Sequence, residues 1–155
     1  FARSELAKHG WTLLVAGNGS LRRELGGRAH RLGIAGATRF LGHASDVEVI
    51  MGTAGILLAP RPDEAYGLSV LEAMSVGLPV VAAAGGGHLE TVGSVPGASL
   101  FPPGDVWSAA STLADLGADA VRRADYGADL RAAQRKRFTL AAQERATDAV
   151  YRSVR

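Results

Sequence analysis

At 155 residues, the chain is long enough to bury one core and too short for two. Apolar residues make up 47% and charged residues 21%, an ordinary balance for a globular domain, and a formal net charge of +2 does not create the long-range field of a nucleic-acid binder. Having no cysteine excludes disulfides and thiolate metal sites, and no apolar run reaches the length of a membrane span.

Phe1 to Lys8 lacks the apolar core and cleavage site of a signal peptide. It reads as the end of an amphipathic helix already under way, stopped at His9-Gly10. On this reading the natural gene product begins earlier and the cytoplasm is the expected location. Trp11 to Ala16 is a short apolar run, expected as a buried parallel strand. Gly17-Asn18-Gly19-Ser20 turns the chain, with Ser20 the expected N-cap of a helix from Leu21 to about Leu32. Thr38 to Gly42 is a second strand, and Ser45 is expected to cap a short helix through Val47, Val49, Ile50 and Met51.

Gly55 to Pro60 is a third strand, followed by the loop Arg61 to Gly67 and a helix from Leu68 to about Val76 that Gly77 stops. Pro79 to Ala83 is a fourth strand; Gly85-Gly86-Gly87 leads from it into a short helix, His88 to Val92. Ala98 to Phe101 is a fifth strand, and Asp105 caps a helix over Val106 to Leu116. Two more helical segments follow, near Asp119 to Arg137 and Leu140 to Val154. Strand and helix thus alternate with short connections, which predicts an α/β, Rossmann-like fold: a parallel sheet with helices on both faces.

Ligands of such sheets bind at the carboxyl ends of the strands, where loops enter helix N-termini rich in unpaired N–H groups. The most informative such loop is Glu64-Ala65-Tyr66-Gly67-Leu68-Ser69-Val70-Leu71-Glu72. Gly67 allows close backbone approach to a ligand, and the amides of Gly67, Leu68 and Ser69 would face the pocket at the helix start. Glu72 sits in a nearly all-apolar helix, so it occupies a wet stripe or has a hydrogen-bonding partner. The plain alternative, a surface Glu72 and a Glu64 that merely complements the helix dipole, stays open on the residues alone.

The order of residues from Pro60 to Ala82, with glutamates at 64 and 72 and Glu-Ala-Met at 72–74, resembles the E-x7-E region of family 4 retaining glycosyltransferases. The resemblance continues through Gly86-Gly87-His88-Leu89-Glu90-Thr91-Val92 and Phe101-Pro102-Pro103-Gly104-Asp105, and upstream through Leu14 to Gly19 and Arg39 to Gly42. It implies the donor-binding half of an enzyme of GT-B architecture, one that transfers a sugar from a nucleotide-diphosphate sugar to an acceptor hydroxyl with retention. By that resemblance Glu64 contacts the transferred sugar, Glu72 holds the ribose hydroxyls, and the amides of Gly67, Leu68 and Ser69 bind the diphosphate. Phe40, Leu41, Gly42 and His43 would lie against the base, with Gly17, Gly19, Gly86 and Gly87 on cleft loops. Gly86 and Gly87 would either keep the cleft open or simply form a helix-entry turn. The donor is a substrate, no cofactor is implied, and transfer is expected to be metal-independent.

Two departures from the family pattern stand out. Ala65-Tyr66 replaces a commoner Gly-Phe, where Tyr can pack as Phe does if its hydroxyl finds a partner. The strand carrying the family's diphosphate-neutralising Arg and Lys is missing, so the sheet is expected either to pair the Thr12–Ala16 and Ile56–Ala59 strands directly or to leave two edges exposed. The acceptor (a glycan, lipid or small molecule) would be bound by an absent N-terminal half, and the fragment is expected to be inactive alone.

Rival readings are weaker. Gly17-Asn18-Gly19 lacks the third glycine of a dinucleotide fingerprint, position 22 being Arg22, and no acidic residue ends the next strand. No Asp-x-Asp occurs, and His9, His30, His43 and His88 have no metal-ligand spacing, so each is expected as a cap, surface or turn residue; His43 and His88 lie on cleft loops, where a sugar or base contact is the alternative. The basic residues at Arg122–Arg123 and Arg131, Arg135, Lys136 and Arg137 are expected on a solvated helix face, with an anionic partner or peripheral membrane contact as the alternative. The remaining functional alternatives are a GT-B relative such as a nucleotide-sugar epimerase and a non-catalytic sugar-nucleotide-binding remnant.

Overall fold

A computed structural model describes residues 1–154. Five strands alternate with helices as expected: β1 (Leu13–Ala16), α1 (Arg22–Arg31), β2 (Thr38–Gly42), α2 (Val47–Thr53), β3 (Leu57–Ala59), α3 (Leu68–Val76), β4 (Val80–Ala83), α4 (Gly87–Glu90), β5 (Ser99–Phe101), then α5 (Val106–Ala118), α6 (Ala120–Arg137) and α7 (Leu140–Ser153). All strand pairings are parallel, and helices flank the strands, as an α/β, Rossmann-like fold requires.

The pairing is split in two. β1 pairs with β2, Leu13 opposite Thr38, and β3, β4 and β5 form a separate three-stranded sheet with β4 in its centre. Between β1 and β3 lies a slot of about 960 Å³, lined by Leu13, Val15, Ala16, Ile56, Leu57 and Leu58. Of the two expected outcomes, the chain therefore leaves both edges unpaired. Direct pairing needs a strand spacing of about 4.8 Å. At the amino end the Trp11 indole packs on Gly55, its Cη2 within 2.7 Å of the place a Cβ there would take. Only a glycine at 55 lets the ring wedge there.

The core is built around β4. Val80, Val81, Ala82 and Ala83 are all fully buried, and a continuous apolar run is what a strand covered on both faces needs. Val70, Leu71, Ala73 and Met74 of α3, Leu113 and Leu116 of α5, and Tyr126 and Leu130 of α6 close over it. Gly127 sits in mid-α6, where glycine costs about 1 kcal/mol relative to alanine. A Cβ there would collide with the carbonyl oxygen of Gly77, so its absence lets α6 cross the end of α3.

Local signals succeed where they act within one turn. Asp105 accepts from the amides of Trp107 and Ser108, Asp119 from that of Arg122, and Thr139 from that of Ala142, each as an N-cap. Asp105 also accepts from the Ser108 hydroxyl, and this bond holds its carboxyl below the ordinary 3.8. Two expected caps fail. Ser20 makes no cap bond, because a turn closed by Arg22 N–H on Gly19 C=O puts Leu21 at the cap position. Ser45 instead donates to the Asp46 carboxylate, and Asp46 takes the cap position without a capping bond. The first residues are two 3-10 turns, Ala2–Ser4 and Leu6–His9, rather than a continuing helix, since Glu5 between them has a left-handed φ of 58°.

Arg123 corrects the solvated-face reading of the basic pair. Its Nη1 donates to the carbonyls of Leu116 and Gly117 at 2.8 and 2.7 Å, and its guanidinium lies 5.2 Å from the Trp11 ring centre. A cation there satisfies carbonyls that the end of α5 leaves unpaired.

Tyr126 ties α6 to the amino ends of β4 and β5. Its buried hydroxyl donates to Val80 C=O at 3.0 Å and accepts from Ser99 N–H at 3.1 Å. Burial raises the Tyr126 pKa above its ordinary 10.0. The unfolded chain therefore loses this proton first, and stability falls as pH rises above that value. Replacing Tyr126 with Phe orphans both backbone groups, so unfolding in urea should show a loss of about 1–3 kcal/mol. It should also show a smaller decline in stability above pH 10 than the wild type.

Candidate functional site

The loop from β3 to α3 and the loop from β4 to α4 leave the carboxyl ends of neighbouring strands and lie directly on one another. Gly87 N–H donates to Glu64 C=O at 2.8 Å. A Cβ on Gly85 would stand 2.6 Å from Pro62 O, one on Gly87 would stand 2.7 Å from Ala65 O, and one on Gly86 would overlap Glu64 O. Gly86, at φ 51°, is also the residue that enters α4. Of the two readings of these glycines, the helix-entry turn is what Gly86 forms. The space left by the missing side chains is filled by backbone of the 62–66 loop, not left open as a cleft.

This contact holds Glu64 where its side chain turns back on its own loop. The half-buried carboxylate accepts from Gly67 N–H through Oε1 at 3.2 Å. Gly67 can supply that turn because its φ of 74° suits glycine. Of the three amides expected to face a ligand, Gly67 is thus engaged by Glu64. The amides of Leu68 and Ser69 donate to no acceptor among the described residues, and α3 has no side-chain N-cap. Two free N–H groups at the start of a nine-residue helix concentrate partial positive charge next to Glu64.

Glu72 is exposed and its carboxylate has no hydrogen-bond partner among the described residues; its backbone carbonyl accepts from Ser75 Oγ at 2.6 Å. It stands on the one wet stripe of α3, with exposed Leu68 a turn before it and Val70, Leu71, Ala73 and Met74 buried on the other side. Tyr66 does not pack as a Phe would. It is 52% exposed, and its hydroxyl finds no partner among the described residues. Earlier in the loop, Arg61 and Asp63 form an exposed pair at 2.8 Å. The hydrogen bond from Arg61 holds the Asp63 carboxyl below its ordinary 3.8, but such an exposed pair adds little to stability.

The other expected contacts form a second group at the ends of β1 and β2. Gly17 N–H donates to Gly42 C=O at 2.7 Å, and both glycines have positive φ, 113° and 70°. Arg22 spans them: its guanidinium lies 5.4 Å from the Phe40 ring centre and reaches Phe40 C=O at 3.4 Å. Gly19, Leu41 and His43 are exposed around this turn. The structure therefore joins Glu64, Gly67, Gly86 and Gly87 in one cluster and Gly17, Phe40 and Gly42 in another. Among the described residues, no group of three or more His, Cys, Asp or Glu is placed to hold a metal ion, and no helix is long and apolar enough to cross a membrane.

His88, a cleft-loop histidine for which a sugar or base contact is the alternative reading, belongs to the first cluster. His88 is only 2% exposed and lies beneath the Gly67 turn, its Cδ2 3.6 Å from where a Gly67 Cβ would be. Its place after Gly86-Gly87 was the only signal in the sequence; its burial comes from the two loops closing over it.

Known proteins are similar to this chain in sequence and in fold. The family described as glycosyl transferases group 1 matches residues 1–137. The chain is 35% identical over 116 residues to a 2-deoxystreptamine glucosyltransferase of Streptomyces kanamyceticus, a match that covers 72% of this chain and 30% of that protein. It is 30% identical over 151 residues to the lipopolysaccharide core biosynthesis mannosyltransferase LpsB of Rhizobium meliloti, covering 93% of this chain and 43% of that one. Among solved structures, WaaG, a glycosyltransferase involved in lipopolysaccharide biosynthesis, superposes with a TM-score of 0.81 at 24% identity, covering 96% of this chain and 40% of that chain. Anabaena Alr3699/HepE in complex with UDP-glucose superposes at 0.71 and 26% identity, covering 96% and 44%. The chain thus spans less than half the length of these relatives.

The glycine contacts give a direct test. Gly87→Ala should push the 62–66 loop off β4 and lower stability by about 1–3 kcal/mol, the range for overpacking. It should also shift the amide resonances of residues 64–67. Gly36→Ala, where a Cβ meets nothing within 4 Å, should leave both unchanged.

Proposed function

The chain belongs to the group 1 glycosyl transferases, and on that premise we propose that it is the donor-binding part of an enzyme that transfers a sugar from a nucleotide-diphosphate sugar to an acceptor hydroxyl with retention. The observation that carries the reading is the pairing, at one loop end, of the two free amides of Leu68 and Ser69 with the Glu64 carboxylate. Amides at a helix start complement phosphate oxygens, which only accept hydrogen bonds, while carboxylates complement hydroxyls. A sugar diphosphate presents both, its phosphate joined to the sugar ring through a single bridging oxygen.

In this reading Leu68 and Ser69 bind the diphosphate and stabilise the charge it acquires on leaving. The Gly67 amide joins them only where Glu64 turns from it toward the sugar. Glu64 then accepts from sugar hydroxyls, and Glu72, exposed one turn along α3, accepts from the ribose hydroxyls. The segment Phe40–His43, with Gly17 and Gly19, lies against the base. Retention places the acceptor hydroxyl on the same face as the departing diphosphate. The acceptor itself, a glycan, a lipid or a small molecule, falls to the part of the relatives' length that this chain does not span, and turnover requires that part. The transfer uses no cofactor and proceeds without a metal. The similarity to Alr3699/HepE, solved with UDP and with UDP-glucose, supports the donor class.

Nuclear magnetic resonance titration with UDP-, GDP- and ADP-sugars should give saturable shifts at Leu68 and Ser69 for one base. Glu72→Gln should weaken that nucleotide by about three- to tenfold, the loss of one charge-assisted hydrogen bond. Equal, non-saturating responses to all three, unaffected by Glu72→Gln, would overturn the assignment.

A further inference from the structure

His88 is the buried titratable side chain of the site that the donor reading leaves without a task. Its Nδ1 lies 3.0 Å from the carbonyl oxygen of Ala83, at the end of β4. A carbonyl can only accept, so Nδ1 carries the proton and, in the neutral ring, Nε2 is an acceptor. Nε2 has no hydrogen-bond partner among the described residues, while no enclosed side-chain N or O atom among them lacks one. Nε2 of this 2%-exposed residue is therefore not fully enclosed.

Its direction follows from the ring. Nδ1 is held against Ala83 on one edge; Cδ2, bonded to Nε2 on the other edge, lies 3.6 Å from the place of a Gly67 Cβ. The Glu64 Cγ stands at the same 3.6 Å from that point. The Cδ2 edge of His88, next to its open acceptor, thus lies against the turn where the Glu64 carboxylate takes the Gly67 amide. Two side-chain acceptors beside one turn match a group that donates, which a sugar hydroxyl does and a phosphate oxygen does not.

We propose that His88 Nε2 accepts a hydrogen bond from a hydroxyl of the transferred sugar, beside Glu64, and so discriminates a nucleotide sugar from the bare nucleotide. The proposal rests on the donor-binding reading above. A buried acceptor left unpaired penalises any ligand that lacks the hydroxyl, so the bond contributes selectivity more than overall affinity.

Two variants separate this role from a structural one. His88→Asn keeps a donor in the place of Nδ1, and with it the bond to Ala83, but removes the acceptor at Nε2. His88→Gln keeps a polar atom near Nε2 and loses the other. Affinities for UDP, UDP-glucose, UDP-N-acetylglucosamine, GDP, GDP-mannose, ADP and ADP-glucose are measured by calorimetry. The preference of the wild type for a sugar nucleotide over its own nucleoside diphosphate should fall about three- to tenfold in His88→Asn, the worth of one hydrogen bond, and be partly restored in His88→Gln. In ¹⁵N spectra of the wild-type imidazole, the sugar nucleotide should move Nε2 while the nucleoside diphosphate does not. A sugar preference undiminished in His88→Asn, or equal weakening of both ligand classes, overturns the role of His88 and leaves the donor reading standing. Absence of binding by every nucleotide to the wild type overturns both.

Discussion

The site depends on one close backbone approach, that of the 62–66 loop to Gly85, Gly86 and Gly87. No side chain fits between them, and Gly87 N–H closes the contact on Glu64 C=O at 2.8 Å. The approach joins the ends of β3 and β4 into a single floor. It sets where the Glu64 side chain leaves the backbone, and it buries His88 under the Gly67 turn. Loops placed this way on a fully buried strand such as β4 are held with the precision that ligand positioning needs.

The split sheet gives the two clusters different supports. Glu64, Gly67 and His88 stand on the three-stranded sheet, where Tyr126 bridges β4 and β5 and the largest buried side chains gather. The turn of Gly17, Phe40 and Gly42 stands on the two-stranded pair. Between them the slot exposes backbone edges of β1 and β3 that water must satisfy, and such edges readily pair with another strand. Trp11, wedged on Gly55 and covered by Arg123, bridges the two sheets at the amino end. The cluster around Glu64 lies at the opposite, carboxyl end.

The chemistry of the first cluster is asymmetric in a useful way. Its free donors, the amides of Leu68 and Ser69, belong to the backbone and cannot titrate or swing away. Its acceptors, Glu64, Glu72 and His88 Nε2, belong to side chains. Fixed donors suit a phosphate, whose oxygens are alike in every ligand of the class, whereas side-chain acceptors suit hydroxyls, whose positions distinguish one sugar from another. The basic residues of the chain do not enter this division. Arg123, the half-buried one of its pair, is committed to the carbonyls of Leu116 and Gly117.

The sequence by itself determined the alternation of strands and helices, the cap at Asp105, the approximate start of α6 at Asp119, and the loop that carries the candidate site. These rest on periodicity, on bonds two or three residues long, and on a motif contiguous in the chain. Its failures at Ser20 and Ser45 are of the same local kind, since a neighbouring turn or carboxylate competed for the cap. Only the tertiary structure decided that Gly67 N–H is taken by Glu64, that Gly85–Gly87 receive backbone, that β1 and β3 stay apart, and that His88 is buried with its Cδ2 edge under the Gly67 turn. Most of these contacts join segments that are distant in the chain, as Tyr126 and Val80 are across 46 residues. A glycine or histidine in the sequence does not state which surface will meet it; packing does, because a missing Cβ or a free ring nitrogen acquires meaning only from the atoms brought against it.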